Sequence, residues 1–368
     1  MGKRCCTLEE LVTFSMNKTL SSYAGKKILV TGHTGFKGSW FSRILVLAGA
    51  EVYGLALCAE PESLFARIEN LGLQESTILD IRNRQSVDNY FKENRFDGIF
   101  HMAAQPLVRR SYKEPIETFD TNVMGTAHIL NSVINRQSSK WVVVITTDKV
   151  YKNFKKLEGY SEDEPLGGND PYSASKASAE FVVTAWRTIT NQSKNRVLIC
   201  SARAGNVIGG GDSAEDRLLP DLIRGFKSNS ISIIRNPNSI RPWQHVLDPL
   251  YGYLMIGSNL MKNDEISSTY NFGPGEKSKL TVEQVSSYAS SLWPESKGYE
   301  VKVSTNDVPE SEFLWLSSVL AAKELGWNNR LDAQEAVRWT IDWEKKAMLE
   351  SPLKIMDEQI TKFYNIDL

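Results

Sequence analysis

The feature that most constrains the fold is an alternation of short apolar runs with amphipathic segments across residues 26–205. Six runs rich in β-branched residues have the length of strands, and most are separated by segments with helical spacing. They cover residues 26–32, 51–57, 76–81, 96–104, 140–148 and 196–205. This alternation is typical of a parallel sheet covered by helices on both faces. The sequence therefore predicts an α/β, Rossmann-like, doubly wound sheet.

The composition of the chain changes after residue 205, where glycine, proline and asparagine become more frequent. We predict a Rossmann domain at residues 25–205 and a smaller, mixed C-terminal lobe at residues 206–368, from which some segments return to the sheet domain. Residues 1–24 are predicted to be a peripheral extension, and Met16 is a second candidate start. Ligands of such sheets bind beyond the carboxyl ends of the strands.

Charge and cysteine content exclude several classes of protein. The 368 residues carry 43 Lys and Arg against 44 Asp and Glu, a net charge of -1 that would not gather nucleic acid or an anionic membrane. No apolar run reaches the roughly 18 residues of a transmembrane helix, and residues 1–15 do not resemble a signal peptide. The four cysteines and four histidines lack zinc-site spacing. We therefore expect a cytoplasmic protein with no metal site.

A glycine-rich loop follows the first predicted strand and precedes the first predicted helix. Gly32, Gly35 and Gly38 leave room for backbone amides and a helix N-terminus to approach a pyrophosphate, although a mere tight turn is the alternative. Lys37 either contacts a phosphate or is a solvated cation. We predict that the loop binds a dinucleotide through Gly32, His33, Gly35, Phe36, Lys37 and Gly38.

The ends of the next strands supply further cofactor candidates. NAD usually pairs its ribose with an acidic residue near the end of the second strand. The nearest carboxylate here is Glu60, which lies farther along, so the choice between NAD and NADP stays open on this evidence. The third and fourth predicted strands end at residues that we expect to contact the cofactor: Asp80, Ile81, Ala103, Ala104 and Gln105.

Tyr172 and Lys176 form a Y-x-x-x-K pattern at a predicted helix start, after Pro171 and 140 residues beyond Gly32. The spacing places both side chains on one helical face. A free tyrosine has a pKa near 10, which a neighbouring ammonium and a positive nicotinamide ring would lower. Tyr172 is then able to take a proton from a substrate hydroxyl.

The fifth predicted strand ends in the run Thr147, Asp148 and Lys149. A hydroxyl at this place, together with Y-x-x-x-K, is typical of short-chain dehydrogenases/reductases. Asp148 is a candidate donor of a proton to a leaving hydroxyl, and Lys149 is a candidate for assisting proton removal. The alternative is that Asp148 and Lys149 are exposed loop charges.

Together these motifs resemble the CDP-glucose 4,6-dehydratases, a family of extended short-chain dehydrogenases/reductases. The resemblance runs from about residue 25 to about residue 343, and it is most specific in RAGNVIGGGD and RPWQHV. The other segments that carry it are TGHTGFKGSW, HMAAQPLVRRSY, TNVMGT, TTDKVY, PYSASK and RNPNSIRPWQHVLDPL.

The resemblance implies an activity and a set of roles. Tightly held NAD would take hydride from C4 of CDP-glucose, water would leave across C5 and C6, and hydride would return to C6. The product, CDP-4-keto-6-deoxyglucose, would feed deoxysugar biosynthesis of the kind that serves lipopolysaccharide O-antigen. Related dTDP-glucose dehydratases have Thr-Asp-Glu where this chain has Thr147–Lys149, which leaves the C5 base open. The residues implied to bind the nucleotide diphosphate are Asn206 and Arg241, with Arg235 and His245 as further candidates.

The resemblance also implies a homodimer or homotetramer, paired through the helices that begin near Thr121 and Tyr172. Two rival functions stay open at this point. One is a different nucleotide-sugar 4,6-dehydratase or 4-epimerase, and the other is a non-catalytic NAD(H)-binding regulator. The joint presence of Thr147, Tyr172 and Lys176 argues against the regulator, because a sensor does not need them.

Overall fold

The centre of the fold is a sheet of seven parallel strands. The computed structural model describes residues 18–365 apart from 155, 157, 264 and 303–313. The sheet order is β3–β2–β1–β4–β5–β6–β11, and every neighbouring pair is parallel. Its strands are β1 (Lys27–Thr31), β2 (Glu51–Ala56), β3 (Glu75–Ile78), β4 (Gly98–His101), β5 (Trp141–Ile145), β6 (Leu198–Ala204) and β11 (Thr269–Phe272). The predicted Rossmann-like α/β class is confirmed.

Helices cover both faces of the sheet, because β1, β4 and β5 are buried along nearly their whole length and each face needs an apolar partner. The sheet and its flanks use α1 (Lys18–Ser21), α2 (Phe36–Leu47), α3 (Arg84–Glu93), α4 (Val108–Lys113), α5 (Pro115–Phe119), α6 (Thr126–Arg136), α7 (Pro171–Asn191), α9 (Leu247–Met261), α11 (Val319–Leu325) and α13 (Pro352–Asn365). A π-helical turn, Asp120–Gly125, leads into α6, and a 3-10 turn, Asp148–Val150, follows β5.

A smaller lobe is built from short strands and three helices. Its strands are β7 (Val207–Ile208), β8 (Ser232–Ile234), β9 (Ile240–Pro242), β10 (Gln244–His245), β12 (Lys279–Thr281) and β13 (Tyr299–Val301), which pair two by two. Its helices are α8 (Leu218–Lys227), α10 (Val282–Ser291) and α12 (Ala333–Lys346), with a 3-10 turn at Glu276–Ser278. Phe226, Trp293 and Val337 lie in its buried core.

The chain crosses between the two parts more than once. Strand β11 and helix α9 come from residues 247–272, yet they pack in the core of the sheet domain, where Tyr253 and Phe272 are buried. The division at residue 205 stays a prediction for the substrate lobe as a whole. Within the described ranges, we find no helix that combines the length and the apolar run that a bilayer crossing requires.

The prediction that residues 1–24 are peripheral does not hold for Leu20 and Tyr23, although Lys18, Ser21 and Ala24 are exposed. Leu20 and Tyr23 are fully buried in the main core. The Tyr23 hydroxyl donates a 2.7 Å hydrogen bond to the Leu254 carbonyl of α9. The physical reason is that α9 leaves an apolar flank beside the sheet, and the segment before β1 covers it. The rest of that prediction, residues 1–17, lies outside the described residues.

Candidate active site

A cleft opens at the carboxyl ends of the strands, where the strand order reverses between β1 and β4. Such a reversal is the usual ligand site of a doubly wound sheet. The cleft has a volume of about 350 Å³, within the ~300–1,000 Å³ typical of small-molecule sites. Its walls come from the glycine loop, the ends of β3, β4 and β5, the start of α7 and residues 204–207.

The glycine loop forms a cradle that side chains would fill. Gly32 has a φ of +76°, and a Cβ on Gly38 would lie 2.1 Å from the Gly32 carbonyl oxygen. A Cβ on Gly35 would have only one neighbour, the same oxygen at 3.4 Å. Helix α2 begins at Phe36, so its first amide groups, which have no partner within the helix, lie at this loop. A tight loop at a helix N-terminus suits the pyrophosphate of a dinucleotide.

The structure does not place His33 with the other loop residues in the cleft wall. Its ring is buried, with Nε2 2.7 Å from the Ser76 hydroxyl. A Cβ on Gly54 would come within 2.5 Å of the ring, so the imidazole takes the space that a side chain on β2 would need. Burial lowers the pKa of His33 to about 4. The expected cofactor contact is therefore wrong for this side chain, which is a packing residue.

The strand-end candidates do line the cleft. These are Asp80, Ile81, Ala103, Ala104 and Gln105. Hydrogen bonding from Arg82 lowers the pKa of Asp80, so this carboxylate is already paired. Glu60 is exposed and is not one of the residues in the wall. The π-helical turn fixes this side of the cleft, because Asn122 Oδ1 accepts a 2.8 Å hydrogen bond from the Gln105 amide.

Tyr172, Lys176 and Thr147 lie together in the cleft wall, as the spacing predicts. Burial raises the pKa of Tyr172 to about 12, and a hydrogen bond with Thr147 opposes that rise. The expected lowering of this pKa is thus not a property of the protein alone, because burial outweighs the hydrogen bond with Thr147 and the charge of Arg217. Lys176 Nζ donates a 3.1 Å hydrogen bond to the Ile145 carbonyl. Burial lowers the pKa of Lys176 to about 8, while Glu180 opposes the change.

Asp148 and Lys149 continue this wall beside the cleft. The Asp148 side chain is buried, and its Oδ1 accepts a 2.8 Å hydrogen bond from the Thr147 hydroxyl. Lys149 Nζ lies 3.5 Å from Asp148 Oδ1 and 3.3 Å from Asn206 Oδ1. The alternative that Asp148 is an exposed loop charge is therefore wrong. The Asp148 carboxyl and the Lys149 amine thus lie next to Thr147, which lines the cleft together with Tyr172.

The candidates for binding the diphosphate are less uniformly placed. Asn206 is in the cleft wall. Arg241 lies on β9, opposite Leu280 of β12, and is partly exposed. Arg235 lies 3.8 Å from Asp216. Neither arginine is in the cleft wall, so their contact with a ligand stays a prediction.

The structure contradicts the assignment of His245 to the substrate. Its ring is fully buried, with its centroid 6.2 Å from the Trp40 ring and 5.6 Å from the Trp339 ring. The Leu247 amide donates a 3.4 Å hydrogen bond to His245 Nδ1. Burial lowers the pKa of this histidine to about 3. The side chain is a neutral part of the core between the sheet domain and the C-terminal helices.

Two cations contribute more to the cleft than sequence reasoning indicated. Arg217, which the sequence analysis missed, lies in the wall and pairs with Asp212 at 2.9 Å. Lys37 also lies in the wall, where burial and then the charge of Arg217 lower its pKa to about 7. The alternative of a freely solvated Lys37 is therefore wrong. No local pattern around Arg217 distinguishes it from a surface arginine, and only the fold brings it to Tyr172.

The fold and this site define an extended short-chain dehydrogenase/reductase. Among the residues that the structure describes, no group of three or more His, Cys, Asp and Glu side chains is placed to hold a metal ion. Residues 29–340 match the sequence profile of the GDP-mannose 4,6 dehydratase family. This chain belongs to that family.

Individual relatives agree with that membership. The chain is 45% identical over 329 residues to the CDP-glucose 4,6-dehydratase of Salmonella typhimurium, covering 88% of this chain and 91% of that protein. It is 26% identical over 344 residues to a dTDP-glucose 4,6-dehydratase of Escherichia coli, covering 86% of this chain and 92% of that one.

Solved structures show the same fold. A dTDP-glucose 4,6-dehydratase from Streptomyces venezuelae, with NAD and TYD bound, superposes with a TM-score of 0.74 at 23% identity, covering 89% of this chain and 99% of that one. The Thermus thermophilus UDP-glucose 4-epimerase, in complex with NAD, gives a TM-score of 0.74 at 24% identity, covering 87% and 99%.

Proposed function

We propose that this protein converts CDP-glucose to CDP-4-keto-6-deoxyglucose and water, with NAD as an internal redox cofactor. The observation that carries the proposal is that Thr147, Tyr172 and Lys176 line the cleft beside the glycine loop, while Asp148 accepts a hydrogen bond from Thr147 and is paired with Lys149. An epimerase needs only the hydroxyl and the Tyr–Lys pair, whereas loss of water also needs an acid and a base. The similarity to the Salmonella CDP-glucose 4,6-dehydratase supports the same conclusion.

The cleft suits NAD. The cradle at Gly32 and Gly38 leaves no space for a Cβ, which is what the close approach of a pyrophosphate to the backbone requires. The remaining residues that would hold NAD are Gly35, Phe36, Lys37, Asp80, Ile81, Ala103, Ala104, Gln105, Tyr172 and Lys176. When bound, NAD supplies the acceptor for the hydride from C4 of the sugar and returns that hydride to C6.

The protein side chains would then move the protons. Tyr172 takes the proton of the C4 hydroxyl as the 4-keto group forms, and Lys176 and Thr147 orient it. The keto group acidifies the C5 proton. Asp148, buried beside Thr147, gives a proton to the departing C6 hydroxyl, so that the group leaves as water. As hydride returns to C6, the base that removed the C5 proton gives a proton back to C5. The proton that Tyr172 took from the C4 hydroxyl then replaces, directly or through solvent, the one that Asp148 gave to the leaving water, so every group is restored.

Lys149 is the proposed acceptor of the C5 proton. Its Nζ is shared between Asp148 and Asn206, so a base role requires that the lysine first lose a proton within the site. Lys149→Met in deuterated water tests this role. The variant is expected to lose turnover and, with it, exchange of the C5 proton for solvent deuterium, while Lys149→Arg separates the need for a base from the need for a charge. Full incorporation in Lys149→Met would assign the base elsewhere.

The nucleotide diphosphate would be bound by Asn206 and Arg241, with Arg235 as a further candidate. Guanidinium groups match phosphate oxygens in pairs. Arg217 joins this group on the strength of its place in the cleft wall.

Incubation with the CDP-, dTDP-, UDP- and GDP-linked glucose series, followed by mass detection of water loss, tests the proposal. CDP-glucose is expected to lose water fastest. Dehydration of a different nucleotide sugar alone would overturn the nucleotide assignment, and isomerisation without water loss would favour a 4-epimerase. Tyr172→Phe is expected to keep NAD binding and to lose turnover by about 10²–10⁴-fold, the usual size of general-base catalysis.

The assembly and setting are part of the same proposal. Ile116, Phe119 and Met124 are exposed on or beside α5, and Phe181 and Ile189 are exposed on α7. Exposed apolar groups on neighbouring helices suit a twofold-related copy of this chain. We therefore favour a homodimer, or a homotetramer built from it, that works in the cytoplasm in deoxysugar biosynthesis for a lipopolysaccharide O-antigen.

A further inference from the structure

A buried ionic cluster lies directly behind the catalytic wall. Glu180 is 2% exposed and sits one helical turn after Lys176 on α7. Its carboxylate accepts hydrogen bonds from the Thr146 hydroxyl at 2.5 Å and the Ser201 hydroxyl at 2.8 Å. Arg203 of β6 donates two more, at 3.0 Å from Nε and 2.9 Å from Nη2. Four donors, one from the residue after β5 and three from β6, thus converge on one carboxylate.

The cluster is hydrogen-bonded to the strand end of the reacting centre and acts on Lys176 through its charge. Thr146 precedes Thr147 and itself lies in the cleft wall. Lys176 lies on the same helical face as Glu180, because residues four apart are neighbours on a helix. The Glu180 charge opposes the loss of the Lys176 proton that burial favours. One carboxylate therefore contacts the strand end and stabilises the ammonium.

Arg203 extends the cluster to the loop that follows the site. Its Nη1 donates a 2.7 Å hydrogen bond to the Tyr151 hydroxyl and another, at 3.1 Å, to the Glu162 carbonyl. The Tyr151 hydroxyl donates in turn to Asn271 Oδ1 of β11 at 2.8 Å. The chain on either side of Asp148 and Lys149 is thus tied to the same ionic pair.

We propose that Glu180 is a positioning residue, which holds the Lys176 ammonium and the end of β5 in the arrangement that the reaction uses, with Arg203 as its counter-ion. The inference rests on the proposed function, since Lys176 must act at the reacting centre. A mere core ion pair would need neither the bond to Thr146 nor a place one turn from Lys176.

The expected signature is a shift of a pH profile, so the other charges near these groups matter. The charge of Lys176 also lowers the pKa of two groups on other elements, Lys37 of α2 and His101 of β4. Glu180 is faced by Arg203 and Cys200 of β6 and by Arg187 of its own helix. Burial and the charge of Arg217 lower the pKa of Lys37 to about 7, so Lys37 is largely neutral at the alkaline pH that brings about loss of the Lys176 proton. Among these groups Glu180 is the anion that opposes it.

The direction of the shift is set by the lost negative charge. Without the Glu180 charge, Lys176 loses its proton at a lower pH, because burial already lowers its pKa to about 8. The alkaline limb of the kcat profile is expected to move down by about one pH unit, at the lower end of the ~1–3 units that a close opposite charge contributes. At pH 9, kcat then falls about tenfold relative to the unaltered protein, whereas KM for the sugar nucleotide changes little.

Glu180→Gln is the direct test. The double variant Glu180→Gln with Arg203→Met is the companion test, because the double variant leaves no buried arginine without its counter-ion. Both are expected to show the lowered alkaline limb. Asp357→Asn is the matched control, since Arg43 holds Asp357 in a similar two-pronged pair, at 2.7 and 2.6 Å, on α2 and α13 away from the cleft. It is expected to keep the profile of the unaltered protein.

Each result of these experiments either supports the positioning role of Glu180 or overturns it. Superimposable profiles for Glu180→Gln and the unaltered protein would overturn this inference alone. If both neutral variants fail to fold while Glu180→Asp folds with an unchanged limb, the cluster is only structural and the inference falls. An unaltered protein that binds NAD but dehydrates no sugar nucleotide would overturn the proposed function, and the inference with it.

Discussion

Replacement of Gly38 by alanine tests whether the glycine loop at the cleft is too tightly packed to hold a side chain. The new Cβ would lie 2.1 Å from the Gly32 oxygen and 2.8 Å from His33 Cα. Both neighbours are backbone atoms, so no rotamer change relieves the clash. Overpacking of this kind costs ~3 kcal/mol at the upper end of its usual range, and alanine recovers ~1 kcal/mol as a better helix former. The net loss of unfolding free energy is then about 2 kcal/mol.

At this chain length a loss of 2 kcal/mol lowers Tm by roughly 2–4 °C. Gly35→Ala is the matched control, because its Cβ meets a single atom at an ordinary 3.4 Å and the residue has an unstrained φ of -79°. Its Tm is expected to stay within about 1 °C. Thermal unfolding without cofactor, followed by calorimetric titration with NAD, reads both effects. Both variants are expected to bind NAD at least about tenfold more weakly, because the pyrophosphate approaches this backbone.

The thermal unfolding and the NAD titration test different parts of the reasoning. An unchanged Tm in Gly38→Ala would show that the loop is not tightly packed around this glycine. An unchanged NAD affinity in Gly35→Ala, with stability also unchanged, would refute the assignment of this loop to the cofactor.

Three further predictions concern the buried histidines, the cleft and the surface. His33, His101 and His245 have lowered pKa values of about 4, 3 and 3. Below pH ~6.5 the unfolded chain therefore takes up protons on these histidines that the folded protein does not, so the free energy of unfolding falls by ~1.4 kcal/mol per pH unit for each histidine as pH drops toward 4. Urea unfolding of His245→Leu should show a shallower dependence of the unfolding free energy on pH. An unaltered dependence would contradict the buried neutral ring. Arg217→Gln is expected to raise KM for the sugar nucleotide by roughly tenfold or more, measured by initial rates, and an unchanged KM would remove it from the binding site. Phe181→Asp is expected to give monomers in light scattering, and a persistent dimer would place the interface elsewhere.

Local patterns were sufficient to predict six of the seven strands of the sheet, all except β11, and to bring several candidate site residues to one edge of it. Strand and helix periodicity marks each βα unit, and the glycine loop and the Tyr172–Lys176 pair are short motifs whose geometry is fixed by one turn of backbone. Their meeting at one edge follows from parallel strands, whose carboxyl ends all lie on the same side. That is why Thr147, Asp80 and Ala103, which follow three different strands, all lie in the wall of one cleft.

A motif gives a residue its place in the chain but not the direction of its side chain. His33 and His245 lie within motifs, yet both rings turn into the core, because Gly54 and the two tryptophans leave spaces of that shape. Arg217 shows the opposite failure, since only the tertiary fold brings it to the cleft. Leu20 was missed because a four-residue helix has too few positions to show a period.

The return of the chain to the sheet has a consequence for how this protein can be divided. Strand β11 pairs with β6 from Ser201 to Ala204, and its Tyr270 and Phe272 are fully buried. A chain cut at residue 205 would leave β6 as an unpaired edge, which is a template for aggregation. The segment from Gly205 to Ser268 is therefore an insertion between adjacent strands, not an appended module. An exchange of substrate specificity between relatives would have to replace that insertion at both of its ends, because the cofactor-binding half has no complete sheet without strand β11. It would also have to replace β12, α10, β13 and α12, which complete the smaller lobe after β11.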